Sequence, residues 1–148
     1  MKLCILGGGL TGLSLAKSLV KKGLSIDIFL NKKKSDFNRS RTIGISNDNL
    51  MYFNKEILDI KKLFWDIKKI EIYSDNLRNE KILNFENNNK TVFAIIRNYQ
   101  LQSKLLKSLK KDKLCKFKQN FDYNLLNLKK YKLIINCEND NYFTKKFF

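Results

Sequence analysis

Six residues near the start of this chain have the types and spacing to hold a phosphate. Gly7-Gly8-Gly9-Leu10-Thr11-Gly12 fits G-x-G-x-x-G. The motif directly follows a short apolar run, Met1 to Leu6. It precedes a segment, Leu13 to Lys22, whose Leu13, Leu15, Ala16, Leu19 and Val20 recur at helical spacing. Leu24 to Leu30 then reads as a second strand, nearly continuous in apolar residues, as a strand buried on both faces is. The chemistry requires glycine at three of the positions. Gly7 allows a tight turn, Gly9 lets backbone approach a pyrophosphate, and Gly12 lets the helix pack close to the strand. The anion would lie at the helix N-terminus, where N–H groups lack partners and the helix dipole favours negative charge. An ordinary glycine-rich turn without a ligand is the alternative. The order strand, turn, helix, strand within about 30 residues favours the nucleotide site.

The elements around the motif define the frame that positions it. Gly23 ends the first helix in the C′ position. Residues 31–40 form a polar loop, and Arg41 to Ser46 is extended. Ser46 is placed to cap a helix from Asn47 to Leu58. Lys69 to Ser74 alternates as a strand, Asp75 to Glu80 turns, and Lys81 to Phe85 returns. Thr91 to Ile96 is a strand and Asn98 to Lys110 an amphipathic helix on Leu101, Leu105, Leu106 and Leu109. Cys115 to Lys118 and Leu125 to Leu128 are weaker strands, and Lys132 to Cys137 a strong one that can return beside the first. The expected class is α/β: a Rossmann-like βαβ unit with a parallel sheet, plus a small antiparallel β segment. The chain shows no repeat and no linker, so one domain over residues 1–148 is expected.

Composition narrows the function classes. The formal net charge is +16, which raises nucleic acid as a partner. The excess is almost all Lys, spread along the chain and accompanied by abundant Asn, Ile and Phe, residues with A/T-rich codons. A nucleic-acid footprint clusters on one face and uses placed Arg; here the Arg residues are Arg39, Arg41, Arg78 and Arg97. A solvated Lys-rich surface and no nucleic-acid partner are expected. Cys4, Cys115 and Cys137 are widely spaced, and the chain has no His, so no metal site is expected. All three cysteines read as reduced structural thiols, Cys4 and Cys137 within apolar strands. The first strand begins at residue 2, which leaves no room for a signal or transit peptide. No apolar run approaches the ~20 residues of a membrane span. A cytoplasmic location is expected.

Four segments together resemble a known family, the FAD-dependent aromatic hydroxylases of ubiquinone biosynthesis. These belong to the class A flavin monooxygenases that include p-hydroxybenzoate hydroxylase. Ile5 to Leu19 is similar to the family's I-V-G-G-G-x-x-G-L-x-x-A-x-x-L opening. Ser40 to Ser46 resembles its R-A-I-A-L-S segment, Phe64 to Asn76 its tryptophan–acid pair and following strand, and Arg97 to Leu109 its N-R-D-L-Q-x-x-L helix. The resemblance implies that Gly7, Gly8, Gly9, Leu10, Thr11 and Gly12 hold the FAD pyrophosphate. It implies that Arg41 lies beside the flavin and that Gln102 touches the cofactor. Glu138 falls where the family's G-A-D-G carries its acid.

The departures are as informative. The carboxylate that binds the adenosine ribose at the end of the second strand falls on Leu30 or Asn31, so Asn31 is its stand-in; Asp27 lies mid-strand. The family's Arg and Asp of N-R-D-L are Tyr99 and Gln100. Its second flavin motif, G-D-A-A-H followed by a proline segment, cannot occur in a chain with no His and no Pro. The resemblance therefore implies the N-terminal part of a longer FAD hydroxylase, with the C-terminal half missing. In the intact family NAD(P)H is the reductant and a small aromatic molecule, a prenylated phenol, the substrate. Association with the inner face of the membrane or with a biosynthetic complex is left open. A non-catalytic dinucleotide-binding module or remnant subunit is the alternative. No triad, metal set or carboxylate pair marks a catalytic residue.

Overall fold

In the computed structural model the opening apolar run forms β1 (Lys2–Leu6), followed by α1 (Leu10–Lys21) and β2 (Ser25–Phe29). The structure describes residues 2–30, 39–75, 78, 80–88, 90–118, 128–138 and 141–147. They divide into two compact units: Met1–Asn38 with Leu101–Phe148, and Arg39–Gln100.

The first unit is built on a parallel sheet. β1 and β2 run side by side, with Leu3 opposite Ile26 and Ile5 opposite Ile28. β8 (Cys115–Lys118) pairs with the outer side of β2. β9 (Leu133–Asn136) pairs with the free side of β1, giving the order β8-β2-β1-β9. Strand alternation puts Leu3, Ile5, Ile26 and Ile28 on one face and Cys4, Leu6, Asp27 and Phe29 on the other. All are buried. α1 lies on the first face, Gly12 against Ile5. Tyr131, Ile134 and Phe143 of α4 (Tyr142–Phe147) pack on Cys4, Leu6 and Phe29 of the second. The nearly unbroken apolar character of β2 follows from this double coverage. α1 starts at Leu10, ahead of the expected Leu13, because Gly9 already has the extended cap conformation, φ −73° and ψ 176°. It ends as its sequence implies. The Gly23 N–H donates to Val20 O at 2.9 Å and the Leu24 N–H to Leu19 O at 3.2 Å, a Schellman pattern. α3 (Asn98–Lys110) buries Leu101, Leu105 and Leu109.

The second unit is antiparallel. β3 (Thr42–Ser46) and β4 (Phe64–Ile67) flank β7 (Phe93–Arg97), and β5 (Lys69–Tyr73) and β6 (Lys81–Glu86) form a separate hairpin. The helix expected over 47–58 is shorter: α2 (Asn47–Tyr52) gives way to a π-type turn, Phe53–Ile57. The Leu58 N–H closes that turn on Phe53 O at 2.8 Å. Asn54 Oδ1 then accepts the Ile60 N–H at 2.7 Å, turning the chain away from helix. Ser46 occupies the cap position without a side-chain capping bond.

Three other expectations change. Residues 125–127 lie outside the described residues, and Leu128 opens a 3-10 turn, Leu128–Lys130, where a strand was expected. Cys137 lies just past β9 rather than within it, although its N–H still donates to Leu6 O at 2.8 Å. β4 and α4 were not expected. Among the described residues no helix is long and apolar enough to cross a membrane.

Candidate functional site

The order of the parallel sheet reverses at β1. The chain leaves β1 for β2 and β8 on one side and comes back as β9 on the other. In open α/β sheets ligands bind outside the carboxyl ends of the strands at such a switch point. The glycine turn sits there. The Gly7 N–H donates to Phe29 O at 2.9 Å, while Cys137, just beyond β9, continues the ladder on the other side of β1. Gly7 has φ +110°, a conformation that side chains oppose. A Cβ there would also lie 2.7 Å from Glu138 Cγ. Gly12, in the first turn of α1, faces the Gly7 carbonyl oxygen so closely that a Cβ would overlap it. A Cβ at Gly9 would meet nothing within 4 Å. The turn is thus packed behind and open in front.

α1 presents its positive pole to that open space. The first intrahelical bond runs from Leu13 N–H to Gly9 O at 3.0 Å, so the N–H groups of Leu10, Thr11 and Gly12 have no helical carbonyl to meet. No acidic residue in the first turn neutralises the pole. Backbone donors, a glycine that leaves room and an uncompensated dipole fit the pyrophosphate of a dinucleotide.

Two other sequence candidates reach the turn. Gln102, on α3, donates from Nε2 to Gly8 O at 2.9 Å. Glu138 covers Gly7 and is tied to the cap of α4. Its backbone N–H donates to Asn136 Oδ1 at 3.1 Å, and Asn141 Nδ2 donates to its Oε2 at 3.4 Å. Asn141 Oδ1 in turn accepts the Thr144 N–H at 2.9 Å. Leu30 Cδ2 lies where a Cβ of Gly8 would project, so Leu30 is a packing residue beneath the turn. Asn31 lies outside the described residues. Arg41 belongs to the second unit, where it is exposed just ahead of β3 and its carbonyl accepts the Asn98 N–H at 3.0 Å. The first unit therefore brings together Gly7 to Gly12, Gln102 and Glu138.

Asp27 is occupied elsewhere. Its carboxylate pairs with Lys2 Nζ at 2.8 Å and accepts the Tyr131 O–H at 2.8 Å. Lys2 opens β1 and Tyr131 precedes β9, so this trio sits at the amino end of the sheet, opposite the glycine turn. Burial, then the Asp27 hydrogen bond, hold the Tyr131 phenol above its ordinary range. Burial, then the Asp27 charge, push the Cys4 thiol up to about 12. Burial also raises Cys115, to about 11. The trio escaped sequence analysis because Asp27 and Tyr131 are 104 residues apart.

No protein-family model and no curated protein matches the chain. Solved structures do. The p-nitrophenol 4-monooxygenase PnpA from Pseudomonas putida DLL-E4 matches with a TM-score of 0.65 at 16% identity, over 80% of this chain and 31% of that one. PqsL from Pseudomonas aeruginosa, in complex with 2-aminobenzoylacetate, matches with 0.64 at 14% identity, over 80% and 33%. HpxO from Klebsiella pneumoniae, complexed with FAD and uric acid, matches with 0.58 at 20% identity, over 79% and 30%. The chain thus has the α/β fold of part of an FAD-binding monooxygenase. It spans about a third of the length of these solved structures.

Proposed function

We propose that this chain is the FAD-binding, N-terminal portion of an aromatic hydroxylase of the ubiquinone-biosynthesis kind, acting on a prenylated phenol with NAD(P)H as reductant. The observation that carries the reading is the glycine turn at the switch point of the parallel sheet, open in front of Gly9 and backed by α1. In this reading the N–H groups of Gly9, Leu10, Thr11 and Gly12 hold the pyrophosphate. Asn31 serves the adenosine ribose, Glu138 borders the turn on the β9 side, and Arg41 serves the flavin side. Bound FAD supplies the redox chemistry, taking electrons from NAD(P)H and activating dioxygen for ring hydroxylation. This chain's own residues grip the adenosine diphosphate half. We assign no catalytic residue. A lipid-soluble substrate is consistent with a cytoplasmic protein working at the inner face of the membrane.

The second reading, a dinucleotide-binding module without catalysis, is favoured for the isolated chain by its span of about a third of the matched structures. The residues that shield the reacting ring would then come from outside these 148 residues.

Titration tests both readings. The chain binds FAD, ADP displaces it and riboflavin does not, because the grip is on the adenosine diphosphate end. Absence of FAD binding, or displacement by riboflavin alone, would contradict the assignment. With FAD, NAD(P)H and a prenylated phenol supplied, the isolated chain forms no hydroxylated product by mass spectrometry. Product in proportion to the NAD(P)H consumed would remove the second reading.

A further inference from the structure

We propose that Gln102 is a positioning residue of the glycine turn: its side-chain amide fixes the Gly8–Gly9 peptide so that the Gly9 N–H is presented to the anion. The inference rests on reading the turn as a dinucleotide site and adds a residue that acts without touching the ligand. Gln102 Nε2 donates to Gly8 O at 2.9 Å, a bond between positions 94 residues apart in the chain. The described peptide bonds include no cis form. In a planar trans peptide the carbonyl and the following N–H point in opposite directions. A Gly8 carbonyl held toward α3 therefore sends the Gly9 N–H the other way.

The turn has few other means of choosing that orientation. Glycine-rich backbone reaches many conformations at similar energy, so a Gly8–Gly9 peptide without a partner can rotate and present its carbonyl oxygen instead. A carbonyl dipole aimed at a pyrophosphate repels it, whereas an N–H attracts it. Two contacts bracket the choice. Leu30 closes the space on the side of the Gly8 α-carbon, and Gln102 holds the Gly8 carbonyl. Gln102 is carried by the same helix that buries Leu101 and Leu105, so the amide is delivered from a rigid element.

The test uses Gln102→Met, which keeps the length and removes the donor, and Gln102→Glu, whose carboxylate cannot donate at neutral pH. Without ligand, both variants shift the Gly8 carbonyl carbon and Gly9 amide resonances and leave those of α1 beyond Leu13 unchanged. ADP binds about tenfold more weakly to each, the scale of one lost hydrogen bond. For Gln102→Glu both effects reverse as the pH falls through the ordinary carboxylate range, about 4.3, and the carboxyl regains a donor. Unchanged ADP affinity in Gln102→Met would overturn the inference. So would weaker affinity with unmoved Gly8 and Gly9 resonances, which would make Gln102 a direct ligand contact. If the parent chain binds neither ADP nor FAD, the dinucleotide reading itself fails and the inference with it; the parent decides that reading, the variants decide the role of Gln102.

Discussion

The parallel unit and the β5–β6 hairpin use the same apolar residues to different ends. In the parallel unit Ile5, Ile26 and Ile28 are buried on the face that α1 covers, and Cys4, Leu6 and Phe29 on the other face, under Tyr131 and Phe143. In the hairpin the pairs Ile70–Phe85 and Ile72–Leu83 make one face wholly apolar, yet Ile72, Leu83 and Phe85 are 43%, 47% and 48% exposed. The opposite face is ionic, with Glu71 between Lys69 and Lys81, and the Lys81 hydrogen bond followed by the Lys69 one lowers its carboxyl to about 2. A two-stranded ribbon is marginal on its own. The difference teaches that strand pattern reports which side chains share a face, while burial depends on what covers that face. Apolar side chains are buried more completely in the parallel unit, where the candidate site lies, than in the hairpin.

Substitutions should therefore separate the two regions. The largest effect is expected from Gly12→Val, whose side chain overlaps the Gly7 carbonyl. It should destabilise the parallel unit by about 4 kcal/mol or more, read as lost hydrogen-exchange protection in β1, β2 and α1 with β5 and β6 unchanged. Uniform loss across both regions would break the contrast. Next comes Asp27→Ala, which leaves Tyr131 and Lys2 without their shared acceptor. About 3 kcal/mol of stability should be lost by chemical denaturation, with ADP affinity retained in the folded protein. Loss of ADP affinity with stability intact would make Asp27 the ribose acid after all.

A smaller effect should appear with pH. The folded state raises the Cys4 thiol from 9.0 to about 12, so its contribution is complete below pH 9 and is lost as the pH rises toward 12. Denaturation midpoints should fall over that window, and less steeply in Cys4→Ala. Identical slopes would mean that other groups govern the alkaline limb. The smallest effect is expected in the hairpin, where Phe85→Lys should change stability by less than about 0.5 kcal/mol and reduce aggregation. A large loss would show that the apolar face is covered in solution.

How legible each part was follows from the range of the forces involved. β1, α1, β2 and α3 stand out because burial imposes period and length on consecutive residues. The glycine turn stands out because two local demands fall within six residues: the φ of +110° at Gly7, and the Gly7 carbonyl that leaves no room for a side chain at Gly12. β4 was missed because Phe64–Ile67 carries Asp66 and a half-exposed Trp65, and only pairing with β7 makes it a strand. α4 was missed because six residues carry too little periodicity, and its cap, Asn141, is identified only by its bond to Thr144. The Gln102–Gly8 and Asp27–Tyr131 bonds join positions 94 and 104 residues apart. No local pattern announces such pairs. The resemblance places Gln102 at the cofactor; the bond from its amide to the Gly8 carbonyl is a contact that the resemblance does not give.

The central claim is that the glycine turn grips the adenosine diphosphate end of FAD, and Gly9→Val tests it most directly. Gly9 is the glycine of the turn whose Cβ would meet nothing within 4 Å, and its φ of −73° suits any residue, so the variant should fold. Its branched side chain would occupy the space where the pyrophosphate approaches the backbone. FAD titration by fluorescence quenching should give binding to the parent chain and at least about a hundredfold loss in the variant, on the scale of two or more hydrogen bonds. Equal affinity for FAD in parent and variant, with both folded, would contradict the account.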